Sequence, residues 1–442
     1  MQTPRVDDLP QDLRDATRAV ATRLGQAGHR AWLVGGAVRD LALGRPVHDA
    51  DLVSDALPHE VEALFPRTVP VGAAFGIVIV VHGTLEVEVA TFREERGYSD
   101  GRHPDEVLFS KDAAVDAARR DFTCNALYLD PLDGTLFDPL GGLADLAAGR
   151  LAAVGDARQR FLEDGLRLMR MARFQAALGL EPAPGLHDAA RAALSALVGV
   201  SPERVLDELG KVLKGPRAGA AIRVLDACGI ADAVIPGYSA ADAPWRASRL
   251  RVLDGHGAVP GIDGGLTVGL TALLQGPEAG RCAGTTGEGD TAGEDAALGL
   301  LQARCAALRP SRATLNGALE VARLAAAMAA LAAPDARRAT RLRALRSPWF
   351  EAALDLAWRR AAASPDAAAR ARLPALATLR TWCADAGDPC PAPLLTAADL
   401  IAAGLQPGPR FGALLNAAED LQLDGDLRDR GAALEWLRAQ PE

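Results

Sequence analysis

Two aspartates separated by one residue, Asp49 and Asp51, have a spacing that suggests metal chemistry. Alternate side chains of a β-strand point to the same face, so a strand here would bring the two carboxylates within a few ångströms of each other. Such carboxylates repel each other unless a cation lies between them, and Mg2+ binds one or two protein carboxylates together with substrate phosphates. A solvated pair at the edge of a sheet is the alternative, and for two aspartates taken alone it is the more common case.

A glycine pair upstream favours the metal and phosphate interpretation. Gly35 and Gly36 follow the apolar run 31–34 and precede a predicted helix. Backbone N–H groups and the helix dipole favour an anion at such a turn. Arg39 lies one turn into the helix and can add a guanidinium to the same phosphates. Together with the aspartates, these residues predict a nucleoside triphosphate site.

A third carboxylate comes from the run 85–92, where apolar and polar residues alternate as in a half-buried strand. Glu88 and Glu86 lie on the same face of that strand, so the alternation leaves both as candidates. Carboxylates on adjacent strands can hold two metal ions, of which one activates an attacking hydroxyl and the other neutralises the leaving phosphates.

The segment RRDFTCNAL places a basic pair and an amide just before an apolar run. A charged helix start would explain Arg119 and Arg120 by themselves. Asn125 lies within the apolar part, and a buried amide is costly unless it is hydrogen-bonded. Asn125 therefore requires a polar partner in the fold.

Four charged residues, Asp164, Arg167, Arg170 and Arg173, recur at spacings of three and would form a stripe along one helix. Surface ion pairs are the ordinary explanation. As a base reader, however, a carboxylate accepts from an exocyclic amine while a guanidinium donates to the adjacent ring acceptor. Asp164 with Arg167 would thus fit C and A, and would reject U and G without a nucleic-acid template.

Composition limits the class of protein. The 442 residues predict two to four domains, and an alanine-rich chain with 4% aromatic residues favours helices. A net charge of −9 argues against indiscriminate coating of nucleic acid, although a local basic face remains compatible. The six cysteines lack the CxxC spacing of a zinc site. No apolar run reaches the ~18 residues of a membrane span, and the charged N-terminus does not resemble a signal peptide. A cytoplasmic protein is expected.

Periodicity predicts the elements that position these residues. A helix is expected over 11–29, strands over 31–34, 76–82 and 85–92, and a mobile loop over 94–112. Helical periodicity takes over from about residue 157, so an α+β N-terminal head with a small mixed sheet is followed by helices alone. The expected divisions are a head (1–150), a helical neck (151–215), a helical body (216–330) with a flexible loop (275–298), and a helical tail (331–442).

Taken together, the motifs LVGGAVRD, DADLV, VEVATFR, RRDFTCNAL, FDPLGGLADL, RFLEDGLRLMRMARF and SPERVLDEL resemble, in order, those of the bacterial class II tRNA nucleotidyltransferase and poly(A) polymerase family. They cover residues 32–210. The resemblance implies a head like the palm of DNA polymerase β and a two-metal nucleotidyl transfer with Mg2+.

The resemblance also implies roles for individual residues. It makes Asp49 and Asp51 the metal-binding catalytic pair and favours Glu88 as the third carboxylate. Contacts with the triphosphate fall on Gly35, Gly36 and Arg39, and contacts with ribose and phosphates fall on Arg120, Asp121 and Asn125. Asp164 and Arg167 would contact the incoming base. Arg170 and Arg173 would face the nucleotide or the primer end. Arg204 matches the last motif, which braces the neck helices.

Members of this family add CCA, CC, A or poly(A) to RNA 3′ ends. The interval from Glu88 to Arg119 is full length, whereas CC-adding members have a shortened one, and the chain lacks the very basic tail of the poly(A) polymerases. CCA addition to tRNA from CTP and ATP is therefore expected. The alternatives are A-only addition, poly(A) synthesis, and a catalytically silent tRNA- or nucleotide-binding protein.

An arginine cluster in the predicted tail is a candidate for contacts with the RNA backbone. A solvated helix face explains the same cluster equally well. Its members are Arg337, Arg338, Arg341, Arg343 and Arg346.

Overall fold

The computed structural model divides the chain into two units. The N-terminal unit comprises Met1–Val212 and Ala220–Val234, and the C-terminal unit comprises Leu213–Gly219 and Ile235–Glu442. The residues that the structure describes are 1–72, 76–96, 106–215, 217–239, 243–254, 264–275 and 291–440.

A mixed sheet forms the centre of the N-terminal unit. The strands of the described part are β1 (Ala31–Val34), β2 (Leu52–Ser54), β3 (Thr68–Gly72), β4 (Ile77–His82), β5 (Leu85–Thr91), β6 (Arg93–Arg96), β7 (Glu106–Phe109), β8 (Tyr128–Leu129), β9 (Leu136–Phe137), β10 (Arg150–Leu151) and β11 (Glu181–Pro182). Seven of them make one sheet in the order β3-β4-β5-β2-β1-β8-β9, in which only β2 and β5 run parallel. The other pairs are β6 with β7 and β10 with β11.

The sheet is held by a cluster of aromatic and branched side chains. All four residues of β1 are buried, which suits a strand with neighbours on both sides. Trp32 and Tyr128 meet edge to face with ring centroids 6.4 Å apart, and Phe92 is buried in the same cluster. This packing holds β1, β2, β5 and β8 together.

Helices pack against the sheet and account for most of the other residues that the structure describes. They are α1 (Gln11–Gln26), α2 (Gly36–Ala42), α3 (Pro58–Leu64), α4 (Ala113–Ala118), α5 (Gly142–Ala147), α6 (Ala157–Glu163), α7 (Leu166–Leu178), α8 (Leu186–Ala192), α9 (Pro202–Lys214), α10 (Ala218–Ala227), α11 (Ala231–Val234), α12 (Ala243–Asp254), α13 (Gly264–Leu274), α14 (Thr291–Ala307), α15 (Arg312–Leu331), α16 (Arg338–Leu345), α17 (Phe350–Ala363), α18 (Ala367–Arg370), α19 (Leu373–Ala384), α20 (Ala397–Ala402), α21 (Pro409–Asp424) and α22 (Arg430–Arg438). None of the helices in the described ranges is both long and apolar enough to cross a bilayer.

In the C-terminal unit, α15 packs against α13 and α17, and α16 packs against α21. Buried alanines such as Ala318, Ala322 and Ala353 allow these helices to approach closely. The predicted fold class, an α+β head followed by helices, is confirmed. The strands expected over 31–34, 76–82 and 85–92 are also confirmed, each to within one residue. The divisions proposed within the helical part stay predictions.

Two loop predictions need correction. Residues 93–96 and 106–109 pair as an antiparallel hairpin, so the ends of the loop expected over 94–112 are strands, and residues 97–105 lie outside the described residues. Of the loop expected over 275–298, residues 276–290 likewise lie outside them. Residues 291–298 form the first turns of α14, because alanine and leucine dominate the sequence from 296 onward and Ala297 is buried.

Candidate nucleotide-binding and catalytic site

The two aspartates lie just before β2, not on it. Strand β2 begins at Leu52, but the Val34 N–H donates to the Asp51 carbonyl at 3.1 Å, which extends the pairing with β1 by one residue. Ala50 is buried while Asp49 and Asp51 are exposed. The alternation inferred from a strand therefore holds in this extended segment, although the assignment to a strand was wrong.

Glu88 joins the two aspartates, whereas Glu86 does not. β5 runs parallel to β2, with Val89 opposite Leu52, so Glu88 lies beside the segment that carries Asp51. Glu86 is exposed and pairs with Val81 near the turn of the β4–β5 hairpin. The strand register distinguishes two glutamates that the alternation alone could not.

The three carboxylates are close enough to disfavour one another's charge. Part of the Asp51 side chain is open to solvent, but loss of water to the surrounding protein atoms, together with the charges of Glu88 and Asp49, raises its pKa to about 6. Arg120 partly offsets this effect. The pKa of Glu88 is raised by burial and by Asp49, while Arg93 opposes the shift.

The glycine turn lies at the end of the neighbouring strand. Gly35 has φ +69°, a conformation that a residue with a side chain rarely adopts, and its N–H donates to the Leu127 carbonyl at 3.3 Å. Gly36 then begins α2. The amino end of α2 thus follows β1, and the segment that carries the two aspartates lies beside the same strand.

A chain of buried hydrogen bonds links the residues assigned to phosphate and ribose. Arg39 is 9% exposed and donates to the Asn125 side-chain oxygen at 2.7 Å. Asn125 donates to Asp121 at 3.0 Å, and Asp121 accepts from Arg170 at 2.7 Å. Asn125 therefore has the polar partners that its apolar surroundings require. Asp40, which holds Arg39 through two hydrogen bonds, was not singled out from the sequence.

Asp116 is a second residue that sequence reasoning missed. It is fully buried on α4 and accepts hydrogen bonds from Arg119, Arg120 and the Tyr128 hydroxyl. Burial opposes its charge, but the two guanidiniums and the hydroxyl outweigh that effect and lower its pKa to about 2. In the sequence, Asp116 resembles any charged residue on a helix surface; the only signal was its spacing of three and four from a pair of arginines.

Replacement of Asp116 by asparagine is expected to lower the free energy of unfolding by about 3–5 kcal/mol, because it removes the buried carboxylate that pairs with both guanidiniums; Arg119 keeps Glu95, whereas Arg120 loses its ion pair. Since the pKa in the folded protein lies below the ordinary aspartate value of 3.8, the stabilisation is present above about pH 4 and is lost as pH falls towards 2. Urea unfolding at pH 7 and at pH 3 measures both effects. The control is Asp188→Asn, whose side chain is 83% exposed beside Arg191 and which should change stability by less than about 1 kcal/mol. Equal losses for the two variants would contradict the structural role of Asp116.

The candidate base reader differs from the expected single helical stripe. Asp164 lies between α6 and α7 with extended backbone, and its side chain accepts from the Leu166 N–H at 3.0 Å. The break lies at Asp164 itself, and Gly165, the residue before α7, lets the Ala196 backbone approach closely, since a Cβ there would collide with it. Only Arg167, Arg170 and Arg173 share one helix, so the expectation that Asp164 belongs to the same helix was wrong.

Both members of the base-reading pair are held by other side chains. Arg204 donates to Asp164 at 2.8 Å, and Arg167, which is 8% exposed, donates to Glu163 at 2.6 Å and to the Arg119 carbonyl at 3.2 Å. Arg173 is paired with Glu208 on α9. These contacts fix the positions of the two groups before any base arrives.

The arginine cluster of the predicted tail is engaged within the C-terminal unit. Arg337 and Arg343 pair with carboxylates of α21 at 2.6 Å, and Arg346 pairs with Glu419 at 2.9 Å. Arg338 and Arg341 donate to backbone carbonyls at helix ends. A role in binding RNA, which stays a prediction, would require these side chains to exchange partners.

Comparison with known proteins places this geometry in context. Residues 31–152 match the model of the poly(A) polymerase head domain, and residues 179–242 match that of a probable RNA- and SrmB-binding site of polymerase A. The CCA-adding enzyme of Geobacillus stearothermophilus is 40% identical over 240 residues, which cover 52% of this chain and 59% of that enzyme. The CCA-adding enzyme of Leuconostoc citreum is 41% identical over 220 residues, covering 50% and 54%. The matched part thus spans less than two thirds of each of these relatives.

Solved structures extend the similarity along the chain. The CCA-adding enzyme of Bacillus stearothermophilus, solved in complex with CTP, aligns over 97% of both chains with a TM-score of 0.70 and 28% identity. The Thermotoga maritima CCA-adding enzyme, solved with tRNA, aligns over 99% of both chains with a TM-score of 0.61 and 18% identity, which supports a shared fold.

Proposed function

Because the chain belongs to the family of tRNA nucleotidyltransferases and poly(A) polymerases, we propose that it adds CCA to tRNA 3′ ends from CTP and ATP. The observation that carries the proposal is the group of three mutually repelling carboxylates beside the glycine turn that begins α2. This arrangement suits a metal-bound nucleoside triphosphate. Action on tRNA would accord with the cytoplasmic location expected from the sequence.

The carboxylates fit the divalent metal that this family implies. Their charges disfavour one another in the absence of a cation, which is the condition a bound cation relieves. Within the described residues, no three His, Cys, Asp or Glu side chains enclose a metal by themselves. Two carboxylates completed by substrate phosphates are the usual arrangement for Mg2+. We assign Asp49 and Asp51 as the ligands of two Mg2+ ions, with Glu88 as the third carboxylate.

In the proposed reaction, the 3′ oxygen of the RNA attacks the α-phosphorus of the nucleotide, the bond to the β-phosphate oxygen breaks, and pyrophosphate leaves. The metal, when bound, lowers the charge on the phosphates and the pKa of the attacking hydroxyl. Gly36 and the first turn of α2 bring backbone N–H groups to the phosphates, and Gly35, whose own N–H donates to the Leu127 carbonyl, makes the turn that presents them. Arg39 and Arg120 supply positive charge, and Asn125 with Asp121 keeps the Arg39 side chain in place.

Base choice is assigned to Asp164 and Arg167. A carboxylate that accepts from an amine and a guanidinium that donates to a ring nitrogen fit both C and A. Arg204 and Glu163 hold the two groups from the side. Such a pair would discriminate against UTP and GTP, which present a carbonyl in place of the amine.

The raised pKa of Asp51 predicts a pH dependence of metal binding. Below about pH 6 the carboxyl is increasingly protonated and a metal must displace that proton, so affinity for Mn2+, as a probe for Mg2+, should fall about tenfold per pH unit. Above pH 6 to 7 the affinity should level off. Mn2+ titration followed by electron paramagnetic resonance measures this profile.

The variant Glu88→Gln removes one of the like charges that raise the pKa of Asp51, so it should move the break in the profile to lower pH. An affinity for Mn2+ that stays constant between pH 5 and pH 7 in the parent chain would contradict the electrostatic description of the site.

The function is tested with two tRNA transcripts, one lacking all of CCA and one lacking only the final A. Each labelled nucleoside triphosphate is supplied separately, and then CTP and ATP are supplied together. Extension of both transcripts by the missing residues alone would establish CCA addition. Extension only of the transcript that ends in CC would make the protein an A-adding enzyme, and long runs of A would make it a poly(A) polymerase. A protein that binds tRNA but incorporates no nucleotide would be a catalytically silent binding protein.

A further inference from the structure

One aromatic ring of the N-terminal unit is shared by three guanidiniums. Phe174, on α7, is 5% exposed, and its ring centroid lies 4.2 Å from the guanidinium carbon of Arg173, 5.2 Å from that of Arg39 and 5.3 Å from that of Arg170. All three distances fall within the ~6 Å of an effective cation–π contact. The proposed function gives Arg39 a phosphate contact, and the family resemblance implies contacts of Arg170 and Arg173 with the nucleotide or the primer end.

The arginines otherwise have separate partners. Arg39 pairs with Asp40, Arg170 with Asp121, and Arg173 with Glu208. The ring is thus a contact that all three share, and it connects α2 with α7. Three positive charges so close together repel one another, and the negative face of an aromatic ring offsets part of that repulsion.

An aromatic ring and a carboxylate differ in how many hydrogen-bond donors of an arginine they occupy. A carboxylate neutralises an arginine and accepts its hydrogen bonds, so it competes with an incoming phosphate. An aromatic ring attracts the cation but forms no ordinary hydrogen bond with its N–H groups. The contact with Phe174 therefore takes up none of the N–H groups that the carboxylate partner of each arginine leaves for a phosphate. Phe122 fixes the ring by an edge-to-face contact, with centroids 5.7 Å apart and planes at 78°.

We propose that Phe174 is a positioning residue for nucleotide binding: its ring holds Arg39, Arg170 and Arg173 at the spacing in which they meet the phosphates. The proposal rests on the proposed function. A buried phenylalanine would then affect substrate binding through the electrostatics of its ring, an effect that hydrophobic burial alone would not produce.

The test replaces Phe174 in the full chain by mono-, di- and trifluorophenylalanine. Fluorine withdraws electron density from the ring and weakens its attraction for cations stepwise, with little change in shape. The KM for CTP and for ATP should rise with each fluorine, reaching about fivefold to tenfold in the trifluoro variant, while kcat changes by less than about twofold. The melting temperature should stay nearly constant through the series.

The control is the same series at Phe350, which is buried on α17 of the C-terminal unit and should leave KM unchanged. A flat KM at Phe174 in an active enzyme, or an equal rise at both positions, would overturn the proposal while leaving the nucleotidyltransferase assignment intact. If the parent chain transfers no nucleotide, the proposed function fails. Calorimetric titration of the same variants with CTP and ATP then decides the role of Phe174, a graded loss of affinity supporting it and a constant affinity or no binding overturning it.

Discussion

Asp51→Asn should lower the rate of CMP addition to tRNA by at least about a thousandfold. Asparagine keeps the shape of the side chain but removes the charge that would hold a cation beside Glu88 and Asp49. Loss of a metal that stabilises transition-state charge by several kcal/mol corresponds to a factor of this size. Single-turnover incorporation at saturating CTP measures the rate, and filter binding measures the affinity for tRNA, which should be unchanged.

Glu86→Gln provides the matched control for this loss. Glu86 is an acidic residue of the same strand as Glu88, but it is exposed near the hairpin turn. Its replacement should alter the rate by less than about twofold. An Asp51→Asn enzyme with near-normal activity, or equal losses in the two variants, would show that the catalytic carboxylates lie elsewhere.

The second large effect is expected at Asp164. Asp164→Ala should reduce kcat/KM for CTP and ATP by about tenfold to a hundredfold, since one good base-reading pair contributes ~1–3 kcal/mol of discrimination. Incorporation of UMP and GMP should become measurable, because the group that requires an amine is gone. Competition assays with all four nucleoside triphosphates measure the change in selectivity.

Arg204→Gln separates recognition from positioning. Arg204 holds Asp164 at 2.8 Å and should affect selectivity in the same direction but by a smaller factor. Asp188→Asn, an exposed change on α8 of the same unit, should leave selectivity unaltered. Unchanged preference for CTP and ATP in the Asp164→Ala enzyme would remove Asp164 from the base-reading role.

Strand β5, which carries Glu88, and strand β1, which pairs with the aspartate segment, could be predicted because their sequences alternate or are uniformly apolar. Residues 31–34 and 85–91 have these patterns, and both form strands of the central sheet. β8 and β9 could not be predicted, since each has only two residues, and β8 joins the sheet by pairing with the distant strand β1. The glycine pair was a sound signal because the positive φ of Gly35 demands that residue type.

Less of the side-chain network around the site could be predicted from the sequence. Asp116 is ordinary in sequence, and its importance comes from a buried hydroxyl twelve residues away at Tyr128. Asp164 was placed on a helix because its spacing of three from Arg167 fits one. Gly165, which precedes that helix, was visible in the sequence, but the close approach of Ala196 that requires a glycine there was not.

The position of β1 has a consequence for how the protein folds during synthesis. β1 lies between β2 and β8, with Leu33 opposite both Leu52 and Leu129, and the turn at Gly35 is anchored to the Leu127 carbonyl. The segment that would bind phosphates therefore stays unanchored on one side until residues 127–129 have left the ribosome. Loop closure over such a separation is slow compared with helix formation. During synthesis, the helices that flank the sheet can thus form before the nucleotide site they support.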